Sequence, residues 1–128
     1  MTTATAIARA DSRKPNAFTT AEKQEWVAAL EGRIAAELML LAPEEVEAIL
    51  AAEADDATAE LLVNRPYDDV YILWLCARID EANGEWSQYA NSLQVFNDHY
   101  GSFANAFLSR YDPAQGYLKE EYAREWMQ

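Results

Sequence analysis

Between Trp86 and Phe107 the large apolar residues fall at Trp86, Tyr89, Leu93, Phe96, Tyr100, Phe103 and Phe107, with steps alternating between three and four. That spacing is one face of an α-helix, held for about six turns. A seam of this length demands a partner helix along it. The stretch immediately before supplies one. From Tyr67 to Ala82 nearly every direction around a helix axis carries an apolar or aromatic side chain, including Val70, Tyr71, Ile72, Leu73, Trp74, Leu75, Cys76, Ala77 and Ile79. A helix that is apolar all round is a buried one. Pro66 suits its first turn, with Asp68 and Asp69 at the positive end of the helix dipole. Asn83-Gly84 is a stop signal, since both residues tolerate the left-handed conformation that closes a helix. The sequence therefore predicts an antiparallel helical hairpin, about 66–83 and 85–111.

The fold class follows: all-α, a small helical bundle around that hairpin. The 128 residues suit one domain with its own core. Gly and Pro, four of each, are too scarce for a turn-rich β fold. No apolar run is long enough to span a membrane, and the N-terminus lacks the basic-then-apolar pattern of a secretory signal. Cys76 has no second cysteine to pair with and falls on the all-apolar helix, so it reads as a small core residue in a chain made in a reducing cytoplasm.

Taken in order, residues 1–17 form an N-terminal segment, either a frayed arm or one short helix. Lys14-Pro15-Asn16 closes it as a turn. Thr19 with Glu22 three residues on is a capping-box signature. It opens an amphipathic helix of about 20–41, striped by Val27, Leu30, Ile34, Leu38 and Leu41, with Trp26 and Met39 beside the stripe. Lys23, Glu31, Arg33 and Glu37 fit its solvated side or margins. Gly32 inside it marks close approach of another helix. Pro43 fits the first turn of a short helix carrying Val46, Ile49 and Leu50. The segment 43–60 holds seven acids and no base, so it reads as an acidic surface helix and loop. Leu61, Leu62 and Val63 return to the core. The domain thus covers 18–111, with a tail at 112–128.

Charge is uneven as well as large. Twenty-two acids against ten bases leave a formal net charge of −12. Residues 34–109 hold fourteen acids and only Arg65 and Arg78 as bases. Such a surface repels phosphate, which disfavours ordinary nucleic-acid binding. It serves solubility, or a surface that sits beside DNA without sticking to it.

Catalytic chemistry is sparse. His99 is the lone histidine, beside Asp98, and reads as a helix-surface residue; zinc needs several ligands and a triad needs a placed nucleophile. The pairs Asp55-Asp56, Asp68-Asp69 and Glu120-Glu121 do not converge, because adjacent helix residues face apart. Neither an EF-hand loop nor a Gly-rich phosphate cradle is present. The expectation is a non-enzymatic chain with no metal and no cofactor.

Two stretches carry a resemblance. The first runs from Asp11 to Ile34: Lys14-Pro15-Asn16, a Thr, Glu22-Lys23, Trp26, then Leu30-Glu31-Gly32-Arg33-Ile34. The second has Pro66-Tyr67-Asp68-Asp69-Val70-Tyr71, Ile79-Asp80, Asn83-Gly84-Glu85, Tyr89, Asn91-Ser92, Phe96-Asn97 and Phe103. Together they resemble small proteins from the structural-gene block of tailed phages and prophages, the head-to-tail connector (adaptor) proteins. The resemblance implies a helical, non-catalytic subunit of a ring beneath the portal, extending the channel through which the genome passes. It implies the portal protein and other neck proteins as partners, self-association into the ring, no membrane, and a place in the virion.

Leu118, Tyr122 and Trp126 lie on one side of the tail, with Tyr117 just before them, and such a tail is disordered alone or docks on a partner or on its own domain. In a ring subunit they are candidates to anchor on the portal or on an adjacent copy. The competing reading is a small acidic regulatory protein whose surface mimics DNA.

Overall fold

The computed structural model describes residues 1–55 and 58–109. Among them the chain forms five α-helices: α1 (Thr3–Arg13), α2 (Thr20–Arg33), α3 (Pro43–Asp55), α4 (Asp69–Ala82) and α5 (Trp86–Leu108). The only extended pairing among the described residues is an isolated antiparallel bridge between Thr2 and Glu60. No helix among them is long and apolar enough to cross a membrane.

Helices α4 and α5 form the expected antiparallel hairpin. Gly84 closes α4 with φ +73°, and the Glu85 N–H reaches back to the Asp80 carbonyl at 3.0 Å. Helix α4 is buried at Val70, Tyr71, Ile72, Leu75, Cys76, Ala77 and Ile79. The α5 seam meets it through Phe96, Phe103 and Phe107, all buried. Aromatic rings run continuously along the contact: Trp74 to Phe96 (5.2 Å), Phe96 to Tyr100 (5.6 Å), Tyr100 to Phe103 (6.1 Å) and Phe103 to Phe107 (6.0 Å). Each buried ring of this kind contributes roughly 1.5–3 kcal/mol. The seam fails at its start, where Trp86 is 66% exposed and Tyr89 does not reach the core.

Helix α4 begins at Asp69, later than a start at Pro66. The Arg65–Pro66 peptide is cis, and the Tyr67 N–H donates to the Asn64 carbonyl, so Pro66 belongs to the turn before the helix.

Residues 3–13 are a helix built into the body, not an arm. Thr2 caps α1 by accepting from the Thr5 N–H at 3.1 Å. Ala6, Ile7 and Ala10 are buried, and the two alanines let α1 lie close against α4.

Helix α2 opens as expected: the Thr19 hydroxyl accepts from the Glu22 N–H at 3.1 Å, and the Glu22 carboxylate accepts from that hydroxyl at 3.3 Å. It does not run straight to Leu41. A π-helical turn at Ile34–Leu38 follows it, and Leu40 then adopts φ +57°. The wider turn rotates the stripe, so Met39 is buried while Leu38 and Leu41 lie only partly covered.

Helix α3 lies against α2 at Gly32. A Cβ built there would come 2.8 Å from Leu50 Cδ2, which accounts for the glycine as a close approach. Glu44, Glu45 and Glu47 face solvent.

Two charged residues of α2 lie in the interior, against the solvated position expected of them. Glu31 is 1% exposed and Lys23 is 5% exposed. The Glu31 carboxylate accepts from the Leu62 N–H at 2.9 Å and from the Tyr71 hydroxyl. That hydroxyl in turn accepts from the Val63 N–H at 2.9 Å. In the short segment Leu61–Val63 the Leu62 and Val63 amides thus find their partners on α2 and α4, while the Leu61 N–H donates to the Met1 carbonyl at 2.9 Å. Lys23 donates to both Asp11 oxygens (3.0 and 2.9 Å) and to Asn16 Oδ1 (3.2 Å), tying α2 to α1 and the turn between them. Among the described residues no buried side-chain nitrogen or oxygen is left without a partner.

Two stability outcomes follow from these contacts. Tyr71→Phe strips Val63 of its acceptor and Glu31 of a donor, and should lower the unfolding free energy in urea by about 1–3 kcal/mol. Gly32→Val pushes α3 off α2 and should cost about 1–3 kcal/mol by the same measurement.

Candidate interaction surfaces

The four tail residues expected to meet a partner, Tyr117, Leu118, Tyr122 and Trp126, lie outside the described residues. So do the side chains of Asp55-Asp56 and Glu120-Glu121. Within the described body three surfaces have distinct chemistry.

The first is a groove of about 280 Å³ between α2 and α5, with α4 as its floor. Leu30, Trp74, Leu93, Phe96 and Tyr100 supply its apolar lining, and Arg33, Glu37 and Asn97 its polar edge. The floor is fixed. The Trp74 indole N–H donates to the Trp26 carbonyl at 2.8 Å. The Arg78 guanidinium lies 5.6 Å from the Trp74 ring and 5.9 Å from the Trp26 ring, while its other side pairs with Glu81 at 2.8 Å. The edge is looser: Arg33 and Glu37 pair at 3.6 Å with both side chains 63% exposed, a contact worth about 0–1 kcal/mol at most. Burial pushes the Tyr100 phenol above its ordinary range, the Glu37 charge adds to that, and Arg33 opposes it. Tyr100 therefore remains a hydrogen-bond donor at neutral pH. The groove suits an apolar or aromatic side chain that brings an acceptor.

The second surface is a hollow of about 320 Å³ lined by Met1, Thr5, Arg9, Arg65 and Asp68. It places two guanidinium groups together on a chain of net charge −12. The Met1 amine already meets Glu60 at 3.0 Å and Asp68 at 3.8 Å. Arg9 and Arg65 are far apart in sequence, and only the docking of α1 beside the 60–68 segment brings them together. The third surface is the acidic outer side of α3, with Glu44, Glu45 and Glu47.

The remaining polar features brace the fold. His99 is a half-exposed helix residue, as expected. Its partner is not its neighbour Asp98 but Asp69 across the hairpin, at 2.8 Å. Asp68 and Asp69 diverge, one toward the Met1 amine and one toward His99. Buried Asp80 receives the Lys14 ammonium at 2.9 Å and the Ser92 hydroxyl at 2.6 Å, joining the end of α1 to both hairpin helices. Burial raises the Cys76 thiol, Asp80 adds to this, and the Arg13 and Lys14 charges only partly offset it, so Cys76 stays protonated and unreactive. Among the described residues no group of three His, Cys, Asp or Glu side chains is placed to hold a metal ion.

Sequence reasoning missed the buried charges although a signal was present. Lys23, Val27, Leu30, Glu31 and Ile34 share one helical face, so two charged residues stood on the apolar stripe itself.

No protein-family model, curated protein or solved structure matches the chain.

The Asp11–Lys23 pair gives the fold a pH dependence. Burial pushes the Asp11 carboxyl up, but hydrogen bonds from Asn16 and Lys23 and the Lys23 charge outweigh it and hold the group below its ordinary 3.8. A carboxyl depressed in the folded state stabilises above its unfolded value and loses that contribution as pH falls through the folded one. Melting temperature against pH for Asp11→Asn should lie below the natural chain at neutral pH. The two curves should converge below the ordinary aspartate range.

Proposed function

We propose that the chain is a structural subunit of the neck of a tailed phage or prophage, a head-to-tail connector (adaptor) that assembles as a ring below the portal and extends the DNA channel. In this reading its work is shape and repulsion: it is a spacer rather than an enzyme, and it takes no cofactor. The observation that carries the proposal is a braced helical body joined to an acid-rich surface. Glu31, Asp80 and Lys23 tie α1, α2, α4, α5 and the 61–63 segment together through buried polar contacts. A subunit braced in this way holds its shape under load from a passing genome.

The exposed carboxylates of α3 supply a wall on which phosphate finds no counter-charge. Residues that carry the connector resemblance have structural work in this fold. Gly32 admits α3, Asn83-Gly84-Glu85 makes the hairpin turn, and Phe96 and Phe103 fill the seam. The portal protein and other neck proteins are the proposed partners, with the tail residues Tyr117, Leu118, Tyr122 and Trp126 as anchors.

Mass spectrometry of purified virions, with electron microscopy of the neck, should find the chain there in ring stoichiometry. Absence from virions, with tight binding to a DNA-processing enzyme instead, would replace this reading by that of an acidic inhibitor. Deleting residues 114–128 should abolish binding to isolated portal rings; unchanged binding removes the tail as the anchor.

A further inference from the structure

Helix α5 departs from the rest of the chain in its charge. From Trp86 to Ser109 there is one acid, Asp98, and no Lys or Arg, in a protein whose net charge is −12. The one imidazole in this stretch, His99, is already engaged by Asp69. The side of α5 turned away from the core carries Ser87, Asn91, Gln94, Asp98, Ser102 and Asn105, all exposed, with steps of four, three, four, four and three. A solvent-facing helix side of this length ordinarily carries charges of both signs. Charge depletion is instead a mark of surfaces that meet another protein.

A second observation falls on the same helix. Glycine is a poor residue inside a helix and is kept where conformation or space requires it. Gly84 has a positive φ, and a Cβ at Gly32 would collide with Leu50. Gly101 has neither reason: it lies in mid-helix without a positive φ, and among the described residues an added Cβ would meet nothing within 4 Å. Nothing among the described residues accounts for the glycine, whereas a neighbouring helix lying across it would.

We infer that this face of α5 meets the same face of a second copy of the chain across a two-fold axis. Charge selects that occupant. Two copies, each of net charge −12, repel each other overall, and the α5 face lets them approach with one carboxylate apiece. Asn, Gln and Ser both donate and accept hydrogen bonds, so a face built from them is complementary to itself, as a two-fold contact requires. The contact is weak. A helix of 23 residues offers a strip about 35 Å long and 10 Å wide, roughly 350 Å² per copy. Stable complexes bury about 800 Å² per partner. The inference goes beyond the connector reading, since a two-fold contact closes on itself and cannot propagate a ring. It describes how free subunits pair.

Sedimentation equilibrium of the full chain, from micromolar to millimolar concentration and from low to molar NaCl, tests it. The weight-average mass should rise from 14.4 kDa toward twice that value. The rise should be greater at high salt, where the repulsion between copies is screened. Gly101→Leu should hold the protein at the monomer mass while leaving its melting temperature equal or higher, since leucine favours the helix and only blocks the approach. Gln94→Glu combined with Asn105→Glu should weaken pairing by about tenfold or more with the fold unchanged by circular dichroism. A natural chain that stays monomeric throughout, or variants that pair as strongly as it does, would overturn the inference. Portal binding is a separate measurement, so failure of the connector reading leaves this result standing, and the reverse.

Discussion

The Glu31 carboxylate is the interaction on which this small bundle depends. A charge at that depth is tolerated only when its oxygens are fully engaged. Here they receive the backbone of Leu62 and the hydroxyl of Tyr71, which itself receives the backbone of Val63. The group therefore does what a strand or a longer loop does elsewhere: it satisfies the main chain of a short buried connection. It also fixes geometry, because the oxygens must point at both the 61–63 segment and α4. The register of α2 against the hairpin is set by this one side chain as much as by the apolar stripe.

Polar contacts distribute the remaining constraints in the same way. Lys23 closes α1 on α2, Lys14 and Asp80 close α1 on the hairpin, and His99 with Asp69 closes one hairpin helix on the other. Every one of them joins residues from different helices. With so few basic side chains, several of those within the body are spent on internal bracing rather than on balancing the surface. The acidity of the exterior and the rigidity of the interior thus have a common origin in where the lysines are placed.

Much of the fold was legible in the sequence because its signals are local and periodic. The alternating three and four spacing announced α5, the all-round apolar run announced α4, and Asn83-Gly84 announced the turn. Gly32 was legible too, since a glycine inside a good amphipathic helix needs a neighbour to account for it. What escaped was set by partners distant in sequence. Glu31 and Lys23 looked solvated because their partners, the Leu62 amide and Asp11, lie on other elements. Helix α1 buries only Thr3, two alanines and one isoleucine, too faint a stripe to separate a docked helix from an arm. Pro66 was placed inside a helix because proline at a first helical turn and proline in a preceding turn look alike in one dimension. The π-helical turn after Arg33 has no signature in residue type. Of the interaction surfaces, the aromatic groove draws on three helices at once and had no linear motif. The four tail residues singled out in the sequence fall outside the described body.

The single thiol gives this architecture an internal clock. Cys76 is buried on α4, near enough to the end of α1 for the Arg13 and Lys14 charges to act on it, and burial keeps it protonated. A thiol-specific reagent in excess can reach it only during excursions in which α1 lifts away or the whole domain opens. The labelling rate in the natural chain then reads how often the body opens around this thiol, locally or as a whole.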